Sequence, residues 1–216
     1  MSLKFLASLF IFIVFMGTIL FVARTTRRQR TLAEEAENAF WERERKANTV
    51  RKKPLDDLDY VKIPLDTLPM NALPDHERAR EYTELITSLS TEPIVNLTGY
   101  TNTDLKLEYG TANITPLSQY DQNYTILVRT LQQWADLLLS SGLPAEAETV
   151  LAYAVSIGTD VSHTYYALAK IYAERGEYAK ITDLIQQADG LRSALRKSIV
   201  RTLQESYPQA CPPHCG

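Results

Sequence analysis

The sequence predicts an all-α protein: a single N-terminal transmembrane helix, then a small domain of repeated α-hairpins with a C-terminal capping helix. Three observations predict it. Residues Phe5–Ala23 form an uncharged run dominated by Phe, Leu, Ile and Val. Downstream apolar residues recur at helical spacing, and only Val95–Tyr100 alternates weakly as a strand would. Two segments around Gly142 and Gly176 match each other at an offset of 34 residues. A length of 216 residues suits one domain with accessories.

After a short tail, residues 1–4, comes the apolar run. As a helix its nineteen residues reach about 28 Å, close to the hydrocarbon thickness of a bilayer. Ser8, Gly17 and Thr18 are tolerated there because a helix satisfies its own backbone. Lys4 closes one end; Arg24, Arg27, Arg28 and Arg30 close the other. A cleaved signal peptide has a shorter apolar core and a small-x-small cleavage site. This run is long and enters arginines directly, so it reads as an uncleaved anchor. The arginine excess on its C-terminal side predicts a cytoplasmic domain and an N-terminus outside. Membrane lipid is then met by Phe5–Ala23 and by the basic collar Arg24, Arg27, Arg28 and Arg30.

Residues 24–53 carry ten Lys/Arg and five Glu, a net of +5. Thr31-Leu-Ala-Glu34 reads as a capping box that starts a charged juxtamembrane helix over 32–50. Glu42 and Lys46 have the spacing of an i,i+4 pair. Leu32, Ala36, Ala39/Phe40, Ala47 and Val50 form a thin apolar stripe, broken by Arg43. The stripe allows a solvated helix continuing the anchor, or a coiled-coil stalk that makes a homodimer. Fewer than three clean heptads favours the first. The basic residues also suit anionic headgroups.

Residues 54–216 carry 12 Lys/Arg against 21 Asp/Glu, a net of −9, which argues against a nucleic-acid partner. The whole-chain charge of −3 therefore describes no part of the molecule. Pro64, Pro69 and Pro74 forbid a continuous helix. Residues 51–74 read as an extended linker that lies against the domain through Val61, Ile63, Leu65 and Leu68, or as a short binding segment. Asp75 is predicted to cap a helix running to Ser88, with Ala79, Tyr82, Leu85 and Ile86 on one face. His76, in its first turn, reads as a surface residue.

Residues 89–124 lack strong periodicity. A short helix is predicted over Asn102–Tyr109, ended by Gly110. The rest reads as an ordered loop whose Tyr100, Tyr109, Tyr120 and Tyr124 fill gaps between helices, or as a binding loop. Three sequons begin at Asn96, Asn113 and Asn123; with the domain cytoplasmic they read as turn and cap residues.

The 34-residue match carries the most information. Leu131, Trp134, Ala135 and Leu138 correspond to Tyr165, Leu168, Ala169 and Tyr172. Beyond the glycine turns, Ala147, Leu151 and Ala154 correspond to Ile181, Ile185 and Ala188. One hairpin cannot bury this many large side chains; stacked hairpins can. Repeats are expected at about 128–160 and 162–193. Pro144 starts one helix, Gly158 ends it, Asp160 or Ser162 caps the next, and Gly190 closes the fourth. A capping helix over 191–206 is expected to turn Leu195, Ile199, Val200 and Leu203 inward and Arg192 outward. The helical domain as a whole is placed at 75–207, with a tail at 208–216.

This period and pattern resemble the tetratricopeptide repeat family over residues 128–193. Ala135, Ala169, Ala147, Ala154 and Ala188 stand where the family has small residues. Ile181 departs from the pattern and implies a slightly splayed second hairpin; the usual proline after the second helix is absent. The resemblance implies a partner groove lined by the first helix of each hairpin. The matching outward positions are Arg129, Gln132, Asp136, His163, Tyr166 and Lys170. Arg129 and Lys170 suit an acidic peptide or a terminal carboxylate.

No phosphate-binding loop, nucleophile elbow or paired-histidine zinc motif is present. Cys211-Pro-Pro-His-Cys215 offers two thiols and an imidazole, but three ligands on a terminus make a poor metal site. No enzyme activity, cofactor or metal is therefore expected. The expected function is a membrane-anchored interaction scaffold that binds another protein. The alternatives are a dimeric stalk without a groove, and a thiol redox or metal module at Cys211 and Cys215.

Overall fold

The computed structural model describes residues 3–210, except for the side chains at 3–9, 11, 13 and 14. The described residues are all-helical, with eight α-helices and no strand beyond one isolated bridge. α1 spans Leu3–Asn48, α2 Glu77–Leu89, α3 Asn102–Tyr109, α4 Ile114–Ser140, α5 Pro144–Ser156, α6 Ser162–Glu174, α7 Tyr178–Asp189 and α8 Arg196–Ser206.

α1 is one unbroken helix of 46 residues. The separate start expected at Thr31 is absent. Thr31 lies inside the helix, and its hydroxyl donates to the Arg28 carbonyl one turn back. The Glu42–Lys46 pair is not among the ion pairs of the described residues either. Among the described residues no helix is long and apolar enough to cross a membrane. The run Phe5–Ala23, expected to do so, includes eight positions whose side chains lie outside the described residues.

The body forms as the periodicity dictates. α4 packs on α5, α5 on α6, α6 on α7 and α7 on α8. Pro144 occupies the first turn of α5, where a missing N–H costs little. Gly142, Gly158 and Gly176 turn the chain with φ between +72° and +76°. The large repeat residues Trp134, Leu138, Leu151, Tyr165, Leu168, Tyr172 and Ile185 are buried, as are Ala135, Ala147, Ala154, Ala169 and Ala188. Ile181 is fully buried as well.

Several boundaries differ from expectation. α4 begins at Ile114, well before 128, so the second half of the tyrosine-rich segment is helix. Its tyrosines are fillers: Tyr124 sits in the main core, and Tyr100, Tyr109 and Tyr120 pack on a second apolar cluster of Val95, Leu97, Leu105 and Leu117. α2 starts at Glu77, with His76 and not Asp75 at the N-cap position. α6 has Val161 at its N-cap and no side-chain cap. Asp160 instead accepts a bond from Ser193. α8 begins at Arg196, and Leu195 stays 46% exposed. α3 occupies Asn102–Tyr109 as expected, with a capping box at Thr101 and Asp104.

Residues 51–74 are a strap on the body. Leu68 is buried, and Val61, Ile63 and Leu65 pack on the main core. Tyr60 bridges Val95, and the Val61 amide donates to the Ile94 carbonyl at 2.9 Å. The Tyr153 hydroxyl donates to the Lys62 carbonyl at 3.2 Å. The C-terminal end of α1 docks on α3. Ala47 is fully buried, Arg43 pairs with Asp104 at 2.5 Å, and Glu44 accepts from Thr103 and from Lys106.

Candidate functional site

The residues proposed for partner binding lie on the row of first helices. α4 and α6 are joined across their faces by two bonds. The Thr164 hydroxyl donates to Gln132 Oε1 at 2.6 Å, and His163 Nε2 stands 3.1 Å from Asp136 Oδ1. Gln132 also donates to Asp136 at 2.9 Å. α6 packs in turn on α8.

This geometry divides the six positions. Gln132 is buried, not outward, and bridges α4 to Thr164. Asp136 and His163 are exposed but already face each other. Tyr166 is half-buried and packs on the core. Arg129 is exposed and makes no ion pair among the described residues. Lys170 is exposed and reaches Glu174 at 3.9 Å, a distance that in water contributes little. Of the six positions, Arg129 and Lys170 are thus the exposed cations whose charge is least committed. A recess of about 370 Å³ beside Arg129 is bounded by Asp121, Tyr124, Asp160, Ser162 and Leu195.

The phenols near this face are donors rather than acids. Burial, with a contribution from Asp160, pushes the Tyr124 and Tyr165 hydroxyls far above their ordinary value. Tyr124 donates to the Ile157 carbonyl and Tyr165 to the Thr159 carbonyl. Burial pushes the Tyr153 hydroxyl up to about 12.

Sequence reasoning missed a second concavity. A cleft of about 560 Å³ opens where the strap, the 95–100 loop and the C-terminal ends of α5 and α7 meet. Arg192 is exposed, as expected, and also donates to the Tyr100 hydroxyl and lies 5.1 Å over its ring. Asp59 and Lys62 also line the cleft. No periodic signal marks it, because loops from four places build it.

Among the described residues no group of three His, Cys, Asp or Glu is placed to hold a metal ion. Cys211, His214 and Cys215 lie outside the described residues. The basic collar Arg24, Arg27, Arg28 and Arg30 lies on the exposed part of α1. No family model, curated protein or solved structure matches this chain at a significant level.

Proposed function

We propose that this chain is a single-pass, membrane-anchored interaction scaffold whose tetratricopeptide-like body binds another protein in the cytoplasm. Phe5–Ala23 serves as the anchor and the arginine collar orients it. No bond chemistry is involved. The row of α4, α6 and α8 supports this reading. Buried Leu131, Tyr165 and Ile199 follow one another at 34-residue spacing on those helices, and Arg129 and Lys170 on α4 and α6 are exposed.

The full-length chain tests it. Arg129→Glu combined with Lys170→Glu should abolish recovery of the cross-linked partner from cells while leaving helicity and Tm unchanged, because both side chains are exposed. Undiminished recovery overturns the groove. Topology is tested separately: an impermeant thiol reagent on intact cells should leave Cys211 and Cys215 unlabelled.

A further inference from the structure

α1 carries an apolar face that the body covers only at one end. Projected at 100° per residue, Arg43, Glu44 and Ala47 share the face that docks on α3. Leu32, Ala33, Ala36 and Phe40 continue that same face toward the N-terminus. α3 is only eight residues long, so nothing among the described residues covers the continuation. Leu32 is 55%, Phe40 52% and Trp41 54% exposed. Among the described residues of the body, the exposed large hydrophobics are Leu85 at 39% and Leu195 at 46%.

Charge identifies what fits. Glu35 and Glu42 flank one side of the stripe, and Glu37, with Trp41 beside it, flanks the other. All are exposed, and none makes an ion pair among the described residues. From Thr31 to Glu42 there is no Lys or Arg. An apolar seam with carboxylates on both flanks calls for an apolar seam with basic flanks.

A second copy does not satisfy this. Running parallel, it would set Glu35, Glu37 and Glu42 against their own counterparts. Running antiparallel, it would bring its collar to these glutamates by placing Arg24 opposite Glu42. Its Ile19 would then lie opposite Ala47, where α3 already sits.

We propose that Leu32–Glu42 is a docking site for a basic amphipathic helix of another protein, which lies along α1 in line with α3. Leu and Ala of the ligand helix cover Phe40, Ala36 and Leu32, while its Lys or Arg residues meet Glu35, Glu37 and Glu42. The site is separate from the groove on α4 and α6, so either can fail without the other.

The molecule carries its own reporter. Trp41 is exposed, and the only other tryptophan, Trp134, is 1% exposed in the core. The full-length chain, in nanodiscs of neutral phosphatidylcholine, is titrated with a synthetic amphipathic leucine–lysine helix. A leucine–glutamate helix of the same pattern and empty nanodiscs are the controls. The expected result is a saturable blue shift of Trp41 emission with the lysine helix alone, weakened about tenfold by Glu35→Gln with Glu42→Gln. In Trp41→Phe the shift should vanish while co-sedimentation of the peptide persists. Equal shifts from both peptides, or an unchanged affinity in the double variant, overturn the proposal. So does an emission already blue-shifted without peptide that follows protein concentration with a doubling of mass, because that makes a second copy the occupant.

Discussion

Asn96 holds three parts of the chain at one point. Its Nδ2 donates to the Tyr124 hydroxyl on α4 and to the carbonyls of Ile157 and Gly158 beyond α5. Its Oδ1 accepts the Thr98 amide. Replacement by Ala leaves the part-buried Gly158 carbonyl without this donor and the Ile157 carbonyl with Tyr124 alone, at a cost of about 1–3 kcal/mol, which chemical denaturation of Asn96→Ala should register. The other two sequon asparagines are equally committed. Asn113 is fully buried and donates to the carbonyls of Lys53 and Tyr109. Asn123 donates to the Pro93 carbonyl. A glycan on Asn113 or Asn123 is incompatible with this packing. Gly110 is fixed for a different reason. It sits at φ +88°, and a Cβ there would stand 2.4 Å from the Arg51 carbonyl oxygen. Relieving that contact displaces the start of the strap, which follows directly on the docked end of α1, so Gly110→Ala should cost more than about 1 kcal/mol and should expose Ala47 to amide exchange. Trp134, 1% exposed, has no such local partner and acts through volume. Trp134→Ala should cost about 3–5 kcal/mol, a large share of the roughly 5–15 kcal/mol that holds a domain together.

Between elements, the contact of α1 with α3 depends on two carboxylates. Bonds from Thr103 and Lys106 hold Glu44 below its ordinary 4.5. Bonds from Thr101, with Arg43 nearby, hold Asp104 below its ordinary 3.8. Folded values below unfolded ones mean a contribution present above 4.5 and 3.8 and lost as pH falls through the still lower folded values. As pH falls below the ordinary 3.8 of Asp104, amide protection relative to the intrinsic exchange rate should be lost first at residues 43–53 and in α3, while α4–α7, held by apolar packing, stay protected. Simultaneous loss throughout the chain contradicts this. The two kinds of contact also differ in what the amino-acid sequence discloses. The stacked hairpins were legible because large and small residues recur at a fixed offset. The docking of α1 was not, since it rests on one alanine, one glycine and a few polar pairs distant in sequence. α8 lies between these extremes. Ile199 and Leu203 fall 34 residues after Tyr165 and Ala169, so α8 continues the row as a third first helix. Leucine in place of alanine at the second position disguised the match. Of the groove residues, Arg129 and Lys170 were placed by the repeat pattern alone. Gln132 was misjudged because its burial depends on Thr164, a neighbour only after folding.

At the scale of the molecule, the folded body does not begin at residue 75. The strap contributes Val61, Ile63, Leu65 and Leu68 to the core, and the end of α1 closes over α3 and the Gly110 turn. A fragment starting at residue 43 should therefore melt cooperatively. One starting at 75 should melt at lower temperature, with part of the second apolar cluster exposed, as thermal denaturation with a hydrophobic dye would record. Equal Tm for both fragments would remove the strap from the core. The charge division follows the same anatomy. The acidic body and the basic collar are joined through the acidic stretch Glu34–Glu42, so like and unlike charge alternate along α1 rather than meeting at one boundary. Because α1 is unbroken and the body grips its last turns, the azimuth of the body about the helix axis is locked to that of the N-terminal run. Each residue inserted between Arg30 and Phe40 swings the body by about 100° and lifts it by about 1.5 Å. Seven inserted residues nearly restore the original phase, and five turn the exposed face of α4 and α6 toward the far side. A partner held at a fixed height and bearing would tolerate the first change and lose the protein after the second, so the stalk acts as a protractor as much as a spacer.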